Sequence, residues 1–253
     1  MEALFLCIRV PKSGSASLMR GLAAAFADRR IFYLPDTLNL DGRLSRLQNL
    51  RYLRSRSQNL FRHYRTFNIA RVYRRIAYEG RLGDLISGGH IDFRTAQENI
   101  ARDLRSIAML RDPVARVASE YRYLRRGYFR KSIFNRFDAG ILHRAAGRHD
   151  FDGFLDFLHD HREIYGDVAS QYMGWDGAEE LPAFFARTIF HCGVLEESER
   201  FARELSARLG RAFTLPHDNR TEGAREEPVS AVQRTRIEQI YARDMTLYEW
   251  ARG

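Results

Sequence analysis

Apolar residues gather in a few short unbroken runs, separated by longer stretches in which they recur every three or four positions. The first run, Ala3 to Val10, predicts a strand buried on both faces that stops at Pro11. Leu18, Leu22, Ala25 and Phe26 then recur at helical spacing and predict a helix over about Ala16 to Ala27. Ile31 to Leu34 suggests a second short strand, and Leu85 to His90 a strand end entering a loop. Ser106 to Leu110 and Thr188 to Leu195 complete the set of core strands.

Helical periodicity fills the intervals. Leu44, Leu47, Leu50 and Leu53 mark one side of a helical segment over residues 43–79, an insertion expected over one edge of the sheet. Thr95, with Glu98 three residues on, suggests a capping box for a helix through about Asp103. Asp112-Pro113 places an N-cap and a first-turn proline in series. Val114, Val117, Ala118, Tyr121 and Leu124 share one face of the helix that follows. Helices are expected through most of 133–174, over Glu196 to Leu209, and over Ala231 to Trp250. Strands alternating with helices predict an α/β fold with a mostly parallel sheet. With no repeats, low-complexity tracts or linkers, residues 1–253 read as one domain.

Composition narrows the class. Hydrophobic residues make up 45% of the 253, enough for one sizeable core. No run approaches the roughly 18 apolar residues of a membrane span. The first residues carry no basic n-region, and the apolar run after them ends at Arg9, so a cytoplasmic location is expected. Cys7 and Cys192 lie in strand-like runs, read as small buried hydrophobes; two cysteines make no disulfide framework.

The net charge of +9 is almost entirely arginine, because Lys12 and Lys131 are the only lysines. Ten arginines and no Asp or Glu fall between Arg43 and Arg75, a pattern that suits an anionic partner. Arg122, Arg125, Arg126 and Arg130 could extend that basic surface, and Tyr52, Phe61, Tyr64, Phe67 and Tyr73 could stack on sugars or pack internally.

The chemistry concentrates at two strand-to-helix junctions. In the first, Lys12-Ser13-Gly14-Ser15-Ala16-Ser17 bridges the first strand and its helix. Unpaired N–H groups at a helix start, with the dipole behind them, favour an anion there. Gly14 allows close approach, Lys12 adds positive charge, and Ser13, Ser15 and Ser17 add hydroxyls. The lysine precedes the glycine, opposite to the order in an ATP-binding P-loop, which argues against a nucleotide kinase. In the second junction, Arg111 ends a buried strand and Ser119 follows two turns into the helix. A charged fork and a hydroxyl could there grip one phosphate.

Pro11-Lys12-Ser13-Gly14-Ser15-Ala16-Ser17-Leu18 resembles the 5′-phosphosulfate loop of sulfotransferases that use 3′-phosphoadenosine 5′-phosphosulfate (PAPS), with Ser15 and Ala16 where carbohydrate enzymes often have glycine and threonine. Arg111, Asp112, Pro113, Arg116, Ser119 and Tyr121 resemble the 3′-phosphate motif R-D-P-x-x-R-x-x-S-x-Y of the group that includes heparan sulfate and uronyl 2-O-sulfotransferases. Weaker similarity continues through Ile189 to Leu195, Pro216 to Thr221, and the closing helix with Asp244 and Tyr248.

The resemblance implies a P-loop-like α/β fold. It implies PAPS as donor and PAP as product, bound by Lys12, Ser13, Gly14, Ser15, Ala16, Ser17, Arg111 and Ser119, with Lys12 also catalytic and no metal. The acceptor it implies is a hydroxyl, expected on a carbohydrate that an arginine-rich surface would suit if acidic. Gly89-His90-Ile91-Asp92-Phe93 resembles the segment carrying the family's catalytic histidine, which makes His90 the expected general base, with Glu98 and Asp92 in reserve. The rival outside enzymology is a noncatalytic arginine-rich module for nucleic acid or acidic glycans. It explains the basic segment and leaves the two junctions without a purpose.

Overall fold

The computed structural model describes residues 3–34, 69–100, 103–133, 136, 139–216 and 228–253. Five strands form one sheet in the order β2-β3-β1-β4-β5, every neighbouring pair parallel. They are β1 (Leu4–Ile8), β2 (Ile31–Leu34), β3 (Leu85–Gly88), β4 (Leu104–Leu110) and β5 (Ile189–Val194). In the described residues the helices are α1 (Ser15–Ala25), α2 (Ile69–Glu79), α3 (Phe93–Ile100), α4 (Pro113–Phe129), α5 (Ile141–Arg148) and α6 (Phe151–Asp160). The chain continues through α7 (Arg162–Tyr165), α8 (Val168–Met173), α9 (Leu181–Thr188), α10 (Ser198–Leu209), α11 (Ala231–Ile240) and α12 (Ala242–Arg252).

The unbroken apolar runs are explained by burial on both faces. From β1, Leu4, Leu6 and Ile8 face one layer, which contains residues of α2, α3, α8, α9 and α12. Phe5 and Cys7 face the other, formed by α1 and α10. Each such side chain contributes about 1.5–3 kcal/mol relative to an exposed one. A third cluster joins α4, α5, α6 and α11. β1 and β4 run side by side, from Leu4 against Leu104 to Ile8 against Ala108. The chain leaves β1 toward β2, then returns past β1 to reach β4, so these two strand ends flank the reversal where open α/β sheets bind ligands.

The structure corrects several expectations. The closing segment is two helices broken at Tyr241, whose side chain is fully buried. The cap of α3 is Asp92 and not Thr95: Asp92 accepts from the Thr95 N–H and hydroxyl at 2.8 Å each, and α3 begins at Phe93. Helix α9 had no counterpart in the sequence reading. Of the basic insertion, residues 43–68 lie outside the described residues, and so do Tyr52, Phe61, Tyr64 and Phe67. Its described end, α2, buries Tyr73 and Ile76 in the core, so Tyr73 is no sugar platform.

Candidate active site

After Ile8 the chain turns through Lys12 and Gly14, with φ of 64° and 72°. Glycine is favoured at position 14 on two counts: its φ lies in the left-handed region, and an added Cβ would sit 2.8 Å from Leu195 Cδ1, which would have to move. Gly14 is also the N-cap of α1 and offers no side chain to cap the first N–H groups of the helix, at Ser15, Ala16 and Ser17. Ala16 is exposed and Ser15 half-buried. Ser17 is 8% exposed, and Ser13 is fully buried with its Oγ unpartnered. A buried hydroxyl without a partner and an uncapped helix start together fit an anionic oxygen group.

The second junction adjoins the first. Arg111, at the end of β4, donates from Nη1 to the Lys12 carbonyl at 3.3 Å, across 99 residues of sequence. Asp112 caps α4 by accepting from Ala115 N–H at 3.0 Å, and its own N–H donates to Glu196 Oε1 at 3.2 Å. Ser119 lies half-buried about 9 Å along α4, one turn before Tyr123. The Lys12 ammonium rests 4.3 Å from the centroid of the Tyr123 ring. Loop, guanidinium and the Ser119 face of α4 therefore converge.

Electrostatics at Lys12 are mixed. Burial lowers its pKa below the ordinary amine value; Glu120 opposes that, while Arg111, Arg126 and Arg122 add to it. Tyr248, brought near by α12, is pushed up to about 12, chiefly by burial and then by Glu196 and Asp112.

His90 follows Gly88 and Gly89, both at positive φ, where β3 ends beside β1. Its Nδ1 lies 3.0 Å from the Arg9 carbonyl. A carbonyl only accepts, so Nδ1 carries the proton and the neutral ring is left with Nε2 as its basic nitrogen. The ring also meets Tyr172 edge-on at 6.1 Å. His90, Lys12 and Arg111 thus follow three adjacent strands, with β1 in the middle.

Other sequence candidates lie elsewhere. Asp92 is engaged as the α3 cap, and Glu98 is exposed on that helix. Among the described residues no group of three His, Cys, Asp or Glu is placed to hold a metal ion. Arg125 does not join the basic surface: it donates to Ala146 O at 3.0 Å and His149 O at 2.7 Å, clasping α5 to α4. Tyr121 donates to the same His149 carbonyl at 3.1 Å.

Arg116 is buried, with its Nη1 2.9 Å from Glu120 Oε2 and its guanidinium 4.7 Å from the Tyr241 ring centroid. Asp244 is buried in the same region and accepts from Ala169 N–H, Ser170 N–H and Ser170 Oγ. Burial raises its pKa, against the pull of Arg116 and those donors. Sequence reasoning passed over Glu120, Tyr123 and Glu196, since an Arg–Glu pair four apart or a lone tyrosine on a helix looks like ordinary surface.

No curated protein matches the chain. A family model described as "Sulfotransferase family" matches residues 2–251, almost the whole length, and the chain therefore belongs to the sulfotransferases.

Proposed function

We propose that this sulfotransferase takes its sulfuryl group from PAPS and delivers it to a hydroxyl on a carbohydrate. The observation that carries the reading is the hydrogen bond from Arg111 Nη1 to the Lys12 carbonyl. It brings two anion-suited junctions to neighbouring strand ends, as a donor with phosphates at both ends of one nucleoside requires. When bound, PAPS supplies an activated sulfuryl group on a phosphate leaving group.

The roles then follow from chemistry. Lys12 and the N–H groups of Ser15, Ala16 and Ser17 hold the 5′ side and stabilise charge as the leaving phosphate forms. Ser13, Gly14 and Ser17 complete that cradle, Gly14 by letting the backbone approach. Arg111 and Ser119 hold the 3′-phosphate and so fix the donor's orientation. His90 Nε2 removes the acceptor hydroxyl proton as the oxygen attacks sulfur. Positive charge from Arg122 and Arg126 beside Lys12 supports an acceptor that carries acidic groups.

Incubation with radiolabelled PAPS and a panel of neutral and acidic glycans tests this directly. Label should appear on a glycan, and Lys12→Ala and His90→Ala should each lower turnover by about 100-fold or more with unchanged melting temperature. Transfer at the wild-type rate by His90→Ala would assign the base to another group.

A further inference from the structure

The second junction holds Lys12 at two points. The Lys12 backbone lies at φ 64°, a left-handed conformation that is costly for a residue with a Cβ and persists where its surroundings fix it. Its carbonyl accepts from Arg111 Nη1 at 3.3 Å, where β4 ends. Its ammonium rests on the ring of Tyr123 in α4, 4.3 Å from the centroid. Ser119 lies one helical turn before Tyr123, so the helix with the proposed 3′ anchor also grips the lysine of the neighbouring loop. Tyr123 does not serve the core. It is 55% exposed, against 6% for Leu124 beside it, and it belongs to none of the three hydrophobic clusters of the described residues.

We propose that Tyr123 is a positioning residue for Lys12: its ring face holds the ammonium beside the loop, so that the charge meets the leaving phosphate without a search through lysine rotamers. The inference rests on the catalytic reading of Lys12 given above. A lysine side chain has four flexible bonds, and a fixed aromatic face that attracts its charge narrows the set it samples. The ring covers one side of the ammonium, which has three donors, and the others stay available to phosphate oxygens. The attraction is between charge and π-face, so phenylalanine should serve at position 123 and an aliphatic residue of similar size should not.

The chain's two lysines make the test clean. Labelling with ¹³C-lysine gives two Hε–Cε signals, and Lys131→Arg assigns them. The ring current of Tyr123 should shift the Lys12 signal upfield in wild type and in Tyr123→Phe, and the shift should vanish in Tyr123→Leu. Turnover should fall by about 3- to 30-fold in Tyr123→Leu and stay near wild type in Tyr123→Phe. If Tyr123 acts through Lys12, adding Tyr123→Leu to Lys12→Ala should slow the reaction no further. A merely structural role would lower the melting temperature, leave the Lys12 signal in place and slow the double variant as much as the single one; that result overturns the proposal. Wild-type turnover in Lys12→Ala would instead remove the catalytic reading of Lys12. An impaired Lys12→Ala beside a Tyr123→Leu of wild-type rate would sink the present inference alone.

Discussion

At the end of β1 the chain enters its helix through two residues of positive φ and no side-chain cap. At the end of β4 it enters through Asp112, which caps, and Pro113, which removes a donor that would otherwise need a partner. The first junction leaves its N–H groups available and depends on Gly14 fitting beneath Leu195. The second satisfies its own backbone and presents side chains instead, Arg111 before the cap and Ser119 beyond it. Neighbouring strand ends can thus grip an anion in two ways, by exposed backbone or by a self-contained helix start carrying side chains. On the function proposed above, chemistry would belong to the uncapped one, where small residues let the reacting group approach, and anchorage to the capped one.

Substitutions should separate the two. Lys12→Ala should lower kcat by about 100- to 1,000-fold with little change in melting temperature, because it removes charge directed at the leaving group. Equal kcat would dissolve the distinction. Gly14→Ala should cost about 2 kcal/mol in denaturant unfolding, from its φ of 72° and the contact with Leu195. Asp112→Ala should cost about 1 kcal/mol, or about 3 °C in melting temperature, through loss of a cap. Ser15→Ala should shift stability by less than about 0.5 kcal/mol, since Ser15 caps nothing. A larger stability loss in Ser15→Ala than in Asp112→Ala would reverse the comparison.

Much of this arrangement was legible because each signal was local. The β1 run, the Lys12–Ser17 loop and Asp112-Pro113 each announce a strand end and a helix start within a few residues. What escaped was set by tertiary contact. The break at Tyr241 is hidden by apolar periodicity that continues on both sides; its buried ring, against Arg116, accompanies a chain that bends there. Arg116 reads as one more basic residue until the fold buries it near Glu120 and Asp244. Arg125 looks like part of a charged surface, but two carbonyls at the end of α5 take it up. The Asp92 cap escaped for a different reason: Thr95 with Glu98 matches a capping box in sequence, while Asp92 takes the Thr95 N–H three residues on.

The central claim is that one nucleotide spans both junctions. Calorimetry with PAP and with adenosine 5′-phosphate, on wild type and Arg111→Ala, addresses it most directly. Wild type should bind PAP more tightly by about 10- to 100-fold, the worth of a charged hydrogen-bonded contact. Arg111→Ala should erase most of that difference while leaving adenosine 5′-phosphate affinity nearly unchanged. Equal losses for both nucleotides, or no loss for PAP, would mean that Arg111 does not meet the 3′-phosphate.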